Sequence, residues 1–168
     1  WIASAMTEED RAFAAESGGR PVEERSRDGS PFRLRLVAHD ETAYDWFYNV
    51  IANPMLWFLQ HYLWQLAYTP SVDIALRNAW DQGYVSVNEG FAEAVVEELE
   101  AQPEAAVFFH DYHLYLAPLL VRRRAPEGSW FNDGDRAAGV FGVLATGFAV
   151  LLGFVVFLAF ESFDTSRT

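Results

Sequence analysis

The stretch from Ala106 to Val121 constrains the fold most, because it reads as a strand, a polar turn and a helix in succession. Residues 106–109 form a short apolar run with the length of a buried strand. Four polar or half-polar residues follow at 110–113, and apolar, helix-compatible sequence then runs from Leu114 to arginines at 122–124, where cations suit a helix C-terminus. Ligands of α/β proteins bind beyond the carboxyl ends of parallel strands. The pattern therefore predicts an α/β fold with a candidate site at 110–113.

The side chains at 110–113 suit either a sugar or a purely structural role. The carboxylate of Asp111 can accept hydrogen bonds from two sugar hydroxyls, while the flanking imidazoles and phenol can hydrogen-bond or stack. The same residues could instead cap the following helix or satisfy the end of a buried strand. His110 and His113 could in principle bind a metal, but no further ligands stand at metal spacing, so no metal site is expected.

Composition excludes several classes of function. The net charge of -12 argues against a nucleic-acid partner, because phosphates would repel such a surface. With 51% hydrophobic and 16% aromatic residues, the chain is too apolar to be disordered. It contains no cysteine, which excludes disulfides, thiolate metal sites and a cysteine nucleophile. Its 168 residues allow one domain, alone or with an appendage, and the start at Trp1 suggests part of something longer.

Local signals predict the elements of the first third. Thr7 and Asp40 are expected to cap helices, since both precede helix-compatible sequence and have side-chain oxygens. Apolar and basic residues alternate at 32–37, which predicts a strand with one face in water. Residues 17–30 read as a loop because they combine glycines, a proline and mixed charges.

Helices dominate the middle of the chain. Asn53-Pro54 is expected to end one helix and start another, Met55–Leu66, whose many aromatic residues indicate core packing or a pocket wall. Further helices are predicted at 73–82 and 88–101. The second has an acidic face that is expected to be solvated, formed by Glu93, Glu97, Glu98 and Glu100.

The segment at 137–160 contains no charged residue and is predicted to be a single transmembrane helix. Cations concentrate before this segment, so the positive-inside tendency places the soluble part in the cytoplasm. Small residues recur every four positions within it and would permit helix–helix association. The expected organisation is a first domain at 1–126, a junction at 127–136, the membrane helix at 137–160 and a polar tail at 161–168.

Four motifs, in order, resemble retaining glycosyltransferases of the trehalose-6-phosphate synthase family, glycosyltransferase family 20. The matching pieces are Phe47-Tyr48-Asn49, Asn53-Pro54-Met55-Leu56-Trp57-Phe58 with His61-Tyr62, Ala79-Trp80-Asp81-Gln82-Gly83-Tyr84 with Val87-Asn88, and Phe109-His110-Asp111-Tyr112-His113-Leu114. The resemblance covers residues 1 to about 126. It implies a partial Rossmann-like N-terminal domain of a GT-B enzyme, with the active site between two domains.

The resemblance also implies a reaction and its residues. Glucose would pass from UDP-glucose to glucose-6-phosphate with retention, without a metal or a cofactor. Tyr48 and Trp57 match aromatic residues that line the glucose-6-phosphate pocket, and Asp111 matches the catalytic-centre carboxylate that binds sugar hydroxyls. A retaining front-face mechanism uses the donor's own phosphate to help take the acceptor proton, so no side-chain nucleophile is expected.

Parts of that family have no counterpart in these motifs. The glycine-rich loop that contacts the donor phosphates would precede Trp1, and the nucleotide-binding domain would follow Arg124, so the chain alone is expected to be inactive. The tail from about residue 131 is similar to the first membrane segment of bestrophin-like bacterial proteins. The alternatives are a single-span membrane protein or a chimeric reading frame without a catalytic role. Related enzymes use other acceptors such as glycerol-3-phosphate.

Overall fold

The structure is a computed structural model that describes residues 1–63, 72–125, 127 and 146–155. Its strands and helices confirm the predicted α/β class. The strands are β1 (Ile2–Ser4), β2 (Val22–Arg25) and β3 (Pro31–Val37). The α-helices are α1 (Glu8–Glu16), α2 (Glu41–Asp45), α3 (Phe58–Gln60), α4 (Ile74–Ala79), α5 (Ser86–Ala101) and α6 (Ala117–Arg124). The described elements also include two π-helical stretches, Trp46–Trp57 and Trp80–Val85, a 3-10 turn at Tyr112–Leu114 and the helical residues 146–155.

The central strand of the three-stranded sheet is β3, and the strand order is β1-β3-β2. β1 runs parallel to β3, with Ile2 opposite Arg35. β2 runs antiparallel to β3, with Val22 opposite Leu34. The strand predicted at 32–37 is therefore confirmed, and it forms the middle of the sheet.

β2 lies inside residues 17–30, so the prediction of a loop there was wrong. A tight turn makes the pairing possible: Gly29 adopts a φ of 85°, and the Asp28 carboxylate accepts a hydrogen bond from the Ser30 N–H at 2.9 Å. This turn places the four residues of β2, which have a modest strand preference, beside β3. Pairing with β3 stabilises them as a strand.

The predicted helix caps are confirmed. The Thr7 hydroxyl accepts a hydrogen bond from the Asp10 N–H at 3.1 Å, and the Asp10 carboxylate accepts one from the Thr7 N–H at 2.9 Å. The Asp40 carboxylate accepts from the Ala43 N–H at 2.9 Å. Both helices thus begin where a short oxygen-bearing side chain satisfies an exposed N–H group.

The predicted break at Asn53-Pro54 was wrong, because one helical rod runs from α2 through Trp46–Trp57 into α3. Pro54 lies inside the π-helical stretch, where the typical hydrogen bond runs to the carbonyl five residues back, and it has no N–H to donate. The helix predicted at Met55–Leu66 ends at Gln60, and residues 64–66 lie outside the described part.

A second rod runs without a break from Ile74 to Ala101 through α4, Trp80–Val85 and α5. It includes both predicted helices and the residues between them. The two rods meet at Gly83, where a side chain would not fit: an ideal Cβ would lie 2.6 Å from the Trp46 Cβ and 2.8 Å from the Phe47 nitrogen. Glycine therefore permits contact between the two backbones.

The predicted strand at 106–109 does not form in the described chain. Phe108 is 86% exposed, whereas Val107 and Phe109 pack against the buried clusters. Side chains alternate between exposed and packed positions as in a strand, but the three-stranded sheet of the described residues does not include this segment. The helix predicted after Leu114 is confirmed as α6, which ends at the three arginines.

The acidic face of α5 was predicted to be solvated, and this prediction was wrong for Glu97 and Glu98. These two residues cover the basic face of β3. The guanidinium of Arg35, whose side chain is 12% exposed, pairs with Glu97 and lies 3.2 Å from the Glu98 carboxylate. It also donates to the Ala94 carbonyl at 3.2 Å. The second face of β3 is thus covered by ion pairs, which a strand pattern alone does not reveal.

The main core lies where the two rods pack together. Its buried side chains include Phe47, Ile51, Tyr84 and Val87. Ala117, at the start of α6, joins the same cluster. This contact fixes the end of the polar segment that holds the candidate site.

Within the described residues, no helix is long and apolar enough to cross a membrane. Of the predicted span at 137–160, the described part is 146–155, which is helical and exposed. The other residues of that span lie outside the described part.

Candidate functional site

Asp111 lies between the 105–110 segment and the 3-10 turn, with φ 70° and ψ 169°. One carboxylate oxygen accepts a hydrogen bond from the Tyr112 N–H at 2.8 Å. The other lies 3.6 Å from Nδ1 of His113. The side chain is 41% exposed, so its remaining acceptor positions can reach a ligand.

The imidazole of His113 joins Tyr48 to Asp111. Its ring stacks on that of Tyr48 with centroids 5.5 Å apart, and on that of Tyr112 at 4.2 Å. Burial lowers the pKa of His113, although the neighbouring Asp111 carboxylate opposes that shift. At neutral pH the ring is therefore an uncharged spacer between the two predicted residues.

Trp57 and Tyr112 line the same hollow, of about 400 Å³. Trp57 stacks on His61 with ring centroids 4.1 Å apart. The hollow is also lined by Asn53, Pro54 and Phe58. The Tyr112 hydroxyl donates to the Asn53 side-chain oxygen at 3.0 Å, so this one phenol borders the hollow while its ring contacts His113.

The structure thus brings Tyr48 and Asp111 to a common imidazole and places Trp57 in the adjoining hollow. The arrangement combines a flat apolar wall, a phenol and a carboxylate. A sugar ring presents an apolar face, which can pack on the aromatic wall, and a set of hydroxyls, which can hydrogen-bond to the phenol and the carboxylate. That the three residues bind a sugar phosphate stays a prediction.

A larger cavity of about 570 Å³ lies beside β1, between β3, α5 and the 105–110 segment. It includes Arg35, Glu98 and His110 but none of the three predicted residues. Its charged side chains, Arg33, Arg35 and Glu98, already pair with each other across the β3–α5 contact. The smaller hollow has an aromatic wall and is lined by Tyr112, whose ring stacks on the imidazole between Tyr48 and Asp111, so it is the better candidate for a sugar.

No cluster of three or more metal-ligating side chains occurs among the residues that the structure describes. The ring of His113 stacks on the rings of Tyr48 and Tyr112, and its Nδ1 lies 3.6 Å from the Asp111 carboxylate.

Sequence reasoning gave no individual role to Tyr84 and Asn88, which shape the surroundings of Asp111. Asn88 is fully buried on α5. It stands three residues before Phe91 and seven before Val95, on the apolar face. A polar residue in that register was the available signal, because buried polar side chains need hydrogen-bond partners.

The comparisons with known proteins agree with the motifs. A family model described as glycosyltransferase family 20 matches residues 1–141. The chain belongs to glycosyltransferase family 20. The matched region continues past residue 126, where the sequence analysis ended the first domain.

Individual relatives of the family-20 chain show how much of a full enzyme it spans. The UDP-forming alpha,alpha-trehalose-phosphate synthase A of Dictyostelium discoideum is 31% identical over 126 residues, 71% of this chain and 16% of that protein. The glucosylglycerol-phosphate synthase of Picosynechococcus is 32% identical over 82 residues, 48% of this chain and 14% of that protein. A crystal structure of a UDP-forming alpha,alpha-trehalose-phosphate synthase from Burkholderia vietnamiensis aligns with TM-score 0.48 and 18% identity, over 73% of this chain and 29% of that one.

Proposed function

We propose that this part of a family-20 glycosyltransferase supplies the acceptor side of the active site. The complete enzyme would have GT-B architecture and transfer glucose from UDP-glucose to glucose-6-phosphate with retention, giving trehalose-6-phosphate. The observation that carries the proposal is the meeting of Tyr48 and Asp111 at His113, beside the hollow lined by Trp57.

Each residue has a role that its chemistry allows. The indole of Trp57 offers a flat apolar wall against a sugar face. The phenol of Tyr48 can donate a hydrogen bond to a phosphate oxygen. The Asp111 carboxylate can accept from two adjacent hydroxyls, and hydrogen bonds to a charged group are stronger than those between neutral groups.

Catalysis requires both substrates to be held in register. The chain spans 16% of the Dictyostelium relative, so glucose transfer is proposed for the complete enzyme and acceptor binding for the part described here. The donor phosphate would help to take the acceptor proton, and neither a metal nor a cofactor is part of the proposal.

Binding of glucose-6-phosphate tests the acceptor role directly. Limited proteolysis and titration calorimetry of the purified chain should both show saturable binding. Trp57→Leu should weaken binding about tenfold, which corresponds to about 1.4 kcal/mol. Trp1→Leu is the matched control, because Trp1 is 84% exposed and lies outside the hollow. Absence of protection over a wide concentration range would refute the proposal.

Two further variants separate the polar roles. Tyr48→Phe should weaken binding of glucose-6-phosphate more than binding of glucose, because only the former has a phosphate for the phenol. Asp111→Asn should weaken both by about tenfold or more, since hydrogen bonds to a charged group contribute about 1.5–3 kcal/mol. Glu100→Gln, at an exposed position on α5, is the control and should change neither.

The acceptor could also be glycerol-3-phosphate, because one relative is a glucosylglycerol-phosphate synthase. Competition among glucose-6-phosphate, glycerol-3-phosphate and inorganic phosphate decides between them. If the Trp57 hollow holds a sugar ring, glucose-6-phosphate should bind most tightly. Equal affinities for all three would show that the site binds the phosphate group and does not recognise the sugar.

We also propose, from the sequence alone, that 137–160 crosses a membrane once, with the glycosyltransferase part on the cytoplasmic side. The alternatives are a single-span membrane protein or a chimeric reading frame with no catalytic role. Carbonate extraction tests the span, because a spanning helix keeps the chain in the pellet. Release into the supernatant would refute the span.

A further inference from the structure

Asp111 adopts a backbone conformation that is rare for any residue with a side chain. Its φ of 70° and ψ of 169° lie in a region populated almost only by glycine. Such a conformation persists only where the surrounding structure holds it. The residues that follow Asp111 show what holds it.

Asn88 binds the segment after Asp111 through both ends of its side-chain amide. The amide nitrogen donates to the carbonyl of Tyr84 at 2.9 Å and to that of His113 at 3.0 Å. The amide oxygen accepts from the N–H groups of Leu116 at 3.2 Å and Ala117 at 3.0 Å. Asn88 is 0% exposed, so water cannot replace these partners.

Tyr84 binds the same segment one helical turn earlier. Its hydroxyl donates to the Tyr112 carbonyl at 2.6 Å and accepts from the Tyr115 N–H at 3.3 Å. Burial raises the pKa of Tyr84 to about 12, so the hydroxyl keeps its proton and remains a donor. The ring packs against Phe47 and Trp80, which fixes the hydroxyl relative to the core.

We infer that Tyr84 and Asn88, the loop anchor, are positioning residues that hold Asp111 in its strained, sugar-binding conformation. This inference rests on the proposed function of Asp111. The anchor fixes the backbone at 112–117 from a rigid helix, and Asp111 is the residue immediately before that fixed segment. The anchor residues act through Asp111 and not by contact with the ligand.

The test compares Tyr84→Phe with a control of similar structural cost. Tyr84→Phe keeps the ring and removes only the hydroxyl, so the chain should fold. Affinity for glucose-6-phosphate should fall about fivefold, the effect of losing one or two hydrogen bonds. The control, Thr7→Ala, removes the cap of α1 and should leave the affinity unchanged. Equal affinities of Tyr84→Phe and the wild type would overturn the inference.

A double-mutant cycle separates positioning from a general structural effect. In the Asp111→Asn background, Tyr84→Phe should have no further effect on affinity, because the carboxylate through which the anchor acts is already gone. The same fivefold loss in both backgrounds would overturn the inference. Asn88→Asp is the second variant: when ionised, its carboxylate can still accept from the N–H groups of Leu116 and Ala117 but cannot donate to the carbonyls of Tyr84 and His113.

A ligand-free measurement keeps this inference separate from the proposed function. If the wild type does not bind glucose-6-phosphate, the proposed function fails. The effect of Tyr84 and Asn88 on the backbone of Asp111 can still be measured by NMR without ligand. Coupling constants should show positive φ at Asp111 in the wild type and in Thr7→Ala. They should show an averaged φ in Tyr84→Phe, together with faster amide exchange at Tyr115. Positive φ at Asp111 retained in both anchor variants would overturn the inference.

Discussion

Replacing Asp111 with glycine should give a more stable protein than replacing it with alanine. Both changes remove the hydrogen bond from the Tyr112 N–H, which costs about 0.5–1.5 kcal/mol in each case. Only glycine relieves the backbone strain at φ 70° and ψ 169°, which is about 1–3 kcal/mol. Glycine also makes the unfolded chain more flexible, which offsets about 0.5–1 kcal/mol. The glycine variant should therefore be more stable than the alanine variant by about 1 kcal/mol.

Urea unfolding measures this difference as a shift in midpoint at constant slope. The control pair is Glu93→Gly and Glu93→Ala in the middle of α5, where both variants lose the same exposed ion pair with Arg124. There the order should reverse, with alanine about 1 kcal/mol more stable, as usual inside helices. Both Asp111 variants should bind glucose-6-phosphate about tenfold or more weakly than the wild type. If alanine were as stable as glycine at position 111, the strained conformation and the inference built on it would be wrong.

Two other predictions concern stability. In thermal unfolding, Gly83→Ala should lower the free energy of unfolding by about 2 kcal/mol or more, because its Cβ would lie 2.6 Å from the Trp46 Cβ. Gly147→Ala is the control and should be neutral or slightly stabilising, because the added Cβ meets nothing within 4 Å in the described part of the chain. Burial lowers the pKa of His39 from 6.5 to about 4, so the unfolded chain binds the proton more readily between these values. The free energy of unfolding should accordingly be highest above pH 6.5 and fall by about 2–3 kcal/mol towards pH 4, and His39→Gln should flatten this slope in urea titrations; an unchanged slope would contradict the assignment.

Elements that depend on neighbouring residues could be predicted from the sequence. Thr7 and Asp40 begin helices because their side chains bond to N–H groups three residues on, which the sequence shows directly. The arginines at the end of α6 and the alternation in β3 are local signals of the same kind.

Elements that depend on tertiary packing could not be predicted from the sequence. The rod that passes through Pro54 is supported by Phe47 and Ile51 packing into the core, which overrides the local break. The segment at 106–109 has the pattern of a strand, but the sheet in the described part of the chain consists of β1, β3 and β2 and does not include it. Pairing is a property of two segments, so one segment's pattern cannot establish it.

The candidate site was predicted only in part. The motifs pointed to Tyr48, Trp57 and Asp111, but not to His113 as the ring between two of them. The role of Asn88 follows from its contacts with residues 25 to 29 positions away, which no local pattern contains. Its position on an apolar helix face showed that it needs partners but not which ones.

The most direct test of the central claim is an NMR titration of the isotopically labelled chain with glucose-6-phosphate. The ring signals of Tyr48, the indole signal of Trp57 and the amide signal of Asp111 should shift together and saturate with one dissociation constant. Absence of shifts, or shifts confined to the cavity beside Arg35 and Glu98, would contradict the claim that the three residues form a single sugar-phosphate site.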